Sequence, residues 1–149
     1  MNPTEAGRKE TGATATTASP KKKILILDDH PASRRNLQKK LEASGFCVQV
    51  VSDGLAGLNA IRKENPDLVI LDVVLPGLDG HKVCRMIKFD KNLGRIPVIV
   101  WTSRDLDEAA ELAKQVKADA FIVKTTKQAV ILEIIQRLLE KSEAPEPAA

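Results

Sequence analysis

Between residues 24 and 141 the chain alternates short apolar runs with longer stretches in which apolar residues recur every three or four positions. The short runs lie at 24–27, 46–51, 68–71, 97–101 and 120–123 and are rich in Val and Ile. Runs of this length predict β-strands, and "ILIL" at 24–27, apolar at every position, predicts a strand buried on both faces. The longer stretches predict helices. Leu37 and Leu41 share a face in the first, which ends at "ASG" with Gly45 available as a C-terminal cap. Asp53 can cap the second, where Leu55, Leu58 and Ile61 lie together. The third, from about Gly80 to Phe89, turns Val83, Met86 and Ile87 inward. The fourth, from about Asp105 to Lys117, does so with Leu106, Ala109, Ala113 and Val116. The last, from about Thr126 to Lys141, carries a wide stripe of Val130, Ile131, Ile134, Ile135 and Leu138.

Strands and helices alternating on short connections imply right-handed crossovers and a parallel sheet covered on both faces. The expected fold is therefore α/β, a doubly wound (βα)5 unit with a five-stranded parallel sheet. Residues 1–20, rich in Thr, Ala, Gly and Ser, lack a hydrophobic period and are expected to be a disordered tail. Residues 142–149, "SEAPEPAA", are expected to be a second one, leaving 22–141 as the domain with no output module attached.

Charge narrows the partners. Of the net +3, all comes from residues 1–23, where five basic side chains meet Glu5 and Glu10, so the domain itself is neutral. A neutral domain presents no broad electrostatic footprint for nucleic acid, and direct DNA binding is not expected. Cys47 and Cys84 have no metal-ligand spacing; Cys47 reads as a small buried hydrophobe in a strand. Without a disulfide framework, a signal sequence or a long apolar span, the expected setting is cytoplasmic, with no membrane insertion.

In such a fold, ligands bind beyond the carboxyl ends of the strands. Those ends carry Asp28 and Asp29 after the first strand and Asp72 after the third. Thr102 and Ser103 follow the fourth, and Lys124 follows the fifth. Two like charges about 4 Å apart repel by about 4 kcal/mol at an effective dielectric near 20. A small hard dication with oxygen ligands relieves that repulsion. Lys124 and Thr102 are then placed to hold the oxygens of an anion, as phosphoryl transfer requires.

The segments "ILILDDH", "LVILDVVLPGLDGHKVCRMIK", "IPVIVWTS" and "DAFIVKT", in this order and spacing, resemble a response-regulator receiver domain. The similarity extends from about residue 22 to 141 and is to the single-domain chemotaxis and sporulation regulators. It implies a flavodoxin-like strand order 2-1-3-4-5 and a phosphoryl group accepted by Asp72 from a sensor histidine kinase or histidine phosphotransferase. It implies Mg²⁺ held directly by Asp29, Asp72 and the backbone carbonyl of Val74, with Asp28 acting through a water. Thr102 would hydrogen-bond the phosphoryl oxygens and Lys124 would pair with them. Phe121 matches the aromatic position that switches as Thr102 moves, altering a surface for a downstream protein target or onward phosphotransfer. On this reading the chain is not an enzyme in its own right but a phosphoacceptor that assists its own phosphorylation and dephosphorylation. "SRRNLQKK" puts Arg34, Arg35, Lys39 and Lys40 around the first helix, near where family members dock their kinases or phosphotransferases; a solvated helix face is an equal reading.

Departures from the family pattern are visible. Thr125 follows Lys124 where proline, often cis, is usual; a non-proline cis bond costs about 2.5–4 kcal/mol, and the sequence leaves open whether this bond is cis or trans, and with it the position of Lys124. The switch is Phe rather than Tyr, and Val74 is apolar. A haloacid-dehalogenase-type enzyme would need a second acid at position 74 and is excluded by Val74. Neither G-x-G-x-x-G nor a P-loop occurs, which excludes those nucleotide sites. The alternative kept open is a pseudo-receiver, a protein-interaction module that works without phosphorylation.

Overall fold

The computed structural model describes residues 21–73, 80–103, 111 and 113–143. Expectations for residues 1–20 and 144–149, and for Val74, Leu106 and Ala109, lie outside them. Strand β1 (Lys23–Leu27) leads to helix α1 (Pro31–Ala43), then β2 (Cys47–Val51), α2 (Gly54–Glu64) and β3 (Leu68–Leu71). After α3 (Gly80–Lys88) and β4 (Val98–Thr102) comes a fourth helix, α4, described at 111 and 113–115. Strand β5 (Ala120–Val123) and helix α5 (Gln128–Glu143) complete the order. Ser142 and Glu143, expected in the tail, instead continue α5.

The strands form one parallel sheet in the order β2-β1-β3-β4-β5. Side chains alternate across a strand, and the core divides accordingly into two layers. Leu25, Leu27, Val69, Leu71, Val98 and Val100 face Leu58, Ile61, Val83, Ile87 and Ala113, on the side of α2, α3 and α4. Ile24, Ile26, Leu68, Ile70, Ile99 and Trp101 face Leu37, Leu41, Ile131 and Ile135, on the side of α1 and α5. Burial on both faces is why the central strands lack polar alternation.

Local signals act as the sequence suggests. Pro31 sits in the first turn of α1, where its missing N–H costs nothing. Gly45 takes φ +99° just past the end of α1, a conformation that suits glycine. The Asp53 carboxylate accepts the Ala56 N–H and caps α2. Some faces turn differently. Leu55, Met86 and Val130 are exposed because each lies on the flank of its helix, beyond the reach of the sheet. Cys84 takes the inward place beside Val83 and Ile87 that was expected of Met86, and burial pushes its thiol up to about 12. Cys47, expected to be buried, is exposed because β2 is an edge strand.

Gly80, the first residue of α3, fixes how closely that helix approaches the end of β3. A Cβ there would stand 2.6 Å from the Val73 Cα and closer still to the Asp72 carbonyl oxygen. These are backbone atoms and cannot swing aside. Gly80→Ala is therefore expected to lower stability by roughly 1–3 kcal/mol through overpacking, measured by urea denaturation. A change below about 0.5 kcal/mol would show that this close approach does not exist in solution.

Candidate functional site

Strand register assembles the site. Leu27 pairs with Leu71, so the residues that follow, Asp28 and Asp72, continue side by side. The backbone ladder extends with them: the Asp72 N–H donates to the Leu27 carbonyl at 2.8 Å, and the Asp28 N–H to the Val51 carbonyl at 3.1 Å. Leu71 pairs with Val100, which carries the end of β4 to Thr102 on the same rim. Thr102 pairs with Val123, and the Lys124 N–H donates to the Thr102 carbonyl at 2.8 Å. The chain reverses its direction of winding between β1 and β3, so this rim is the topological switch point.

Three polar residues here are buried: Asp28 at 0%, Asp72 at 2% and Thr102 at 1% exposure. Buried carboxylates need compensation, and Lys124 supplies it. Its ammonium stands 2.8 Å from Asp72 Oδ2 and 2.9 Å from Asp28 Oδ2, and 5.8 Å from the centroid of the Trp101 ring. No peptide bond among the described residues is cis, so Lys124–Thr125 is trans. The trans bond nevertheless leaves the ammonium inside the pocket.

Asp28 is the best-held acid. It accepts the His30 N–H at 2.9 Å, the Ser33 hydroxyl at 3.2 Å and the Trp101 indole N–H at 3.1 Å. Burial works against its charge, but the hydrogen bonds from Lys124, the His30 N–H and Trp101 outweigh it and hold the carboxyl below its ordinary value. Burial likewise opposes the Lys124 charge, and the bonds to Asp72 and Asp28 overcome it, raising that group above its ordinary value. Asp29 is less enclosed, yet its Oδ1 is buried with no hydrogen-bond partner among the described residues.

Of the residues named from sequence, Asp28, Asp72 and Lys124 are in contact and Thr102 shares their rim, with Phe121 partly buried against the core on the neighbouring strand. Val74 lies outside the described residues. Three contacts were not anticipated. Ser33 and Trp101 bind Asp28, and His30 turns its ring toward the acids; "DDH" was the available signal for the last. Arg34 donates to the Asp28 carbonyl at 3.3 Å, and Arg35 and Lys39 are exposed.

The donor set suits a small dication: carboxylate oxygens on a common rim, one of them without a hydrogen bond among the described residues, and an ammonium already drawn between two of the acids. The fold and this crevice define a doubly wound α/β protein with an acidic, cation-seeking pocket at its switch point. A model of the response regulator receiver domain matches residues 24–136, and the chain belongs to that family.

The chain is 35% identical over 118 residues to the transcriptional regulatory protein CseB of Streptomyces coelicolor, covering 79% of this chain and 49% of that protein. It spans about half the length of the curated relatives it matches. Among solved structures it resembles the receiver domain of a signal transduction histidine kinase from Syntrophus aciditrophicus, with TM-score 0.78 and 31% identity over 86% of this chain and 97% of that one. It also resembles the receiver domain of the sensor histidine kinase PA1611 from Pseudomonas aeruginosa, which has magnesium coordinated in its active-site cleft. There the TM-score is 0.76 at 27% identity, over 81% of this chain and 99% of that one. Among the described residues no helix is long and apolar enough to cross a membrane.

Proposed function

We propose that this receiver domain accepts a phosphoryl group on Asp72 from the phosphohistidine of a sensor kinase or phosphotransferase and uses it to switch a protein-binding surface. The observation that carries this reading is the placement of Asp72. It is a buried carboxylate at the end of β3, 2.8 Å from the Lys124 ammonium and beside Asp28, on the rim that Thr102 shares. An Asp72 oxygen forms the new O–P bond as the donor's P–N bond breaks, and the bonding electrons return to the donor imidazole. Lys124 and Thr102 hold the phosphoryl oxygens, and Phe121 follows Thr102 inward. Asp29, Asp72 and the backbone carbonyl at position 74 would hold Mg²⁺, with Asp28 acting through a water, and the ion would supply positive charge against the approach of phosphate to carboxylate.

The interaction-module alternative drew on Thr125, and the contacts of Lys124 with Asp28 and Asp72 favour the phosphoacceptor reading over it. CseB's role in transcription stays with that longer protein. The test is incubation with acetyl phosphate and Mg²⁺, followed by intact mass spectrometry. A mass gain of one phosphoryl group, reversed by hydroxylamine, is the expected result; an unchanged mass with every small phosphodonor would overturn the reading.

Metal binding is separately testable. The double variant Asp29→Asn, Asp72→Asn is expected to lose Mg²⁺ affinity by at least about tenfold in calorimetric titration, since it replaces two anionic ligands with neutral ones. Parent-like binding by that variant would place the ion elsewhere.

A further inference from the structure

The imidazole of His30 has no part in the reading above, yet it stands inside the pocket. His30 occupies the N-cap of α1, a position that favours Ser, Thr, Asp or Asn because their oxygens accept a first-turn N–H. The His30 side chain makes no such bond. It is not packed in the core either, being 57% exposed. Its Nδ1 instead points at the acids: 3.2 Å from Asp28 Oδ1, 3.4 Å from Asp29 Oδ1 and 3.5 Å from Asp72 Oδ2.

Those separations have a chemical meaning. Two donors bound at about 2.1 Å and at right angles on one ion lie about 3.0 Å apart. The Nδ1 distances are only slightly longer than this. Single atoms from Asp28, His30 and Asp72 lie within 4.8 Å of one another. A cation already lies among them, since the Lys124 ammonium is 3.5 Å from the same Nδ1.

We infer that His30 is a nitrogen ligand of the ion in this pocket, which biases the site toward first-row transition dications. The inference rests on the metal-binding reading of the same pocket. Mg²⁺ gains little from an imidazole, because it prefers oxygen and gives up its water reluctantly. Mn²⁺ gains more, and Co²⁺ and Ni²⁺ more again, as their affinity for nitrogen donors rises along that order. Asp29 and Asp72 would keep their places as ligands, and His30 would replace one water of an otherwise all-oxygen set.

The test uses the full chain and the metal ions alone. Mg²⁺, Mn²⁺ and Co²⁺ are titrated by calorimetry into the parent and into His30→Phe, and the Mn²⁺ complexes are examined by pulsed electron paramagnetic resonance. The expected result is a histidine ¹⁴N coupling in the parent, kept in His81→Phe and lost in His30→Phe. His30→Phe should also lower Co²⁺ affinity by about tenfold or more while changing that for Mg²⁺ less than about twofold. The parent spectrum is informative even if a variant folds poorly. Binding of Mn²⁺ with no nitrogen coupling, or with a coupling that survives in His30→Phe, would overturn the assignment of His30 alone. Failure of the parent to bind any of these ions would overturn the metal-binding reading with it.

Discussion

With asparagine at position 72, the protein incubated with acetyl phosphate and Mg²⁺ is expected to give no slow-migrating band on a phosphate-affinity gel. The side chain keeps its shape, so the close contacts at the end of β3 survive. What goes is the anionic oxygen, and a neutral amide is a poor nucleophile toward phosphorus. Stability should change by no more than about 1 kcal/mol, because the lost Lys124–Asp72 attraction is offset by relief of repulsion between two buried acids. The measurement therefore separates chemistry from folding: a variant that melts like the parent yet takes no phosphoryl group has lost only its acceptor. Phosphorylation of Asp72→Asn at the parental rate would move the acceptor to Asp28 or Asp29, the neighbouring carboxylates on the rim.

How much of this was legible beforehand follows from which forces act locally. The central strands are apolar without interruption, so their burial and parallel pairing could be read directly. Once a parallel sheet is assumed, the strand ends share a rim, and Asp28, Asp29, Asp72, Thr102 and Lys124 fall on it. Helix faces were less certain. The period of α2 groups Leu55 with Leu58 and Ile61, yet only the last two meet the sheet. The helix is seated where Gly57 lies against Leu27, and Leu55 is left on the flank. Cys47 was misjudged because alternation cannot distinguish an edge strand from a central one. The direction of the His30 ring depends on how α1 leaves the sheet, which is set by Leu37 and Leu41 against Ile24 and Ile26. The pattern of one segment does not encode that. Likewise Trp101 reads as one more strand hydrophobe, and its indole N–H reaches Asp28 only because β4 lies two strands from β1.

Replacing Lys124 with alanine is expected to have two effects of opposite sign, and together they test what the ammonium does. Asp28 and Asp72 are 0% and 2% exposed, and Lys124 is the cation bonded to both. Removing one partner from a buried ion cluster typically costs about 3–5 kcal/mol, because the remaining charge is left in a poor solvent. Asp28 keeps its bonds from the His30 N–H, Ser33 and Trp101, so the lower end of that range is expected in a urea melt with chelator. Mg²⁺ affinity should move the other way. In the parent an ion must compete with the Lys124 ammonium for Asp72 and, through a water, for Asp28, whereas in Lys124→Ala it meets them uncompensated. The variant should therefore bind Mg²⁺ more tightly than the parent. Saturation at 100 times the dissociation constant would return about 2.7 kcal/mol to it. The phosphorylated state cannot be restored in this way, since the ammonium pairs with phosphoryl oxygens and an ion on the acids does not replace that contact. With Mg²⁺ and beryllofluoride, a phosphoryl mimic, the backbone amide shifts around Thr102 and Phe121 should stay close to their Mg²⁺-only values in Lys124→Ala but move in the parent. Parent-like movement in the variant would mean that Lys124 serves only to neutralise the acids and does not transmit their phosphorylation, and weaker Mg²⁺ binding would mean that ammonium and ion do not compete for these acids.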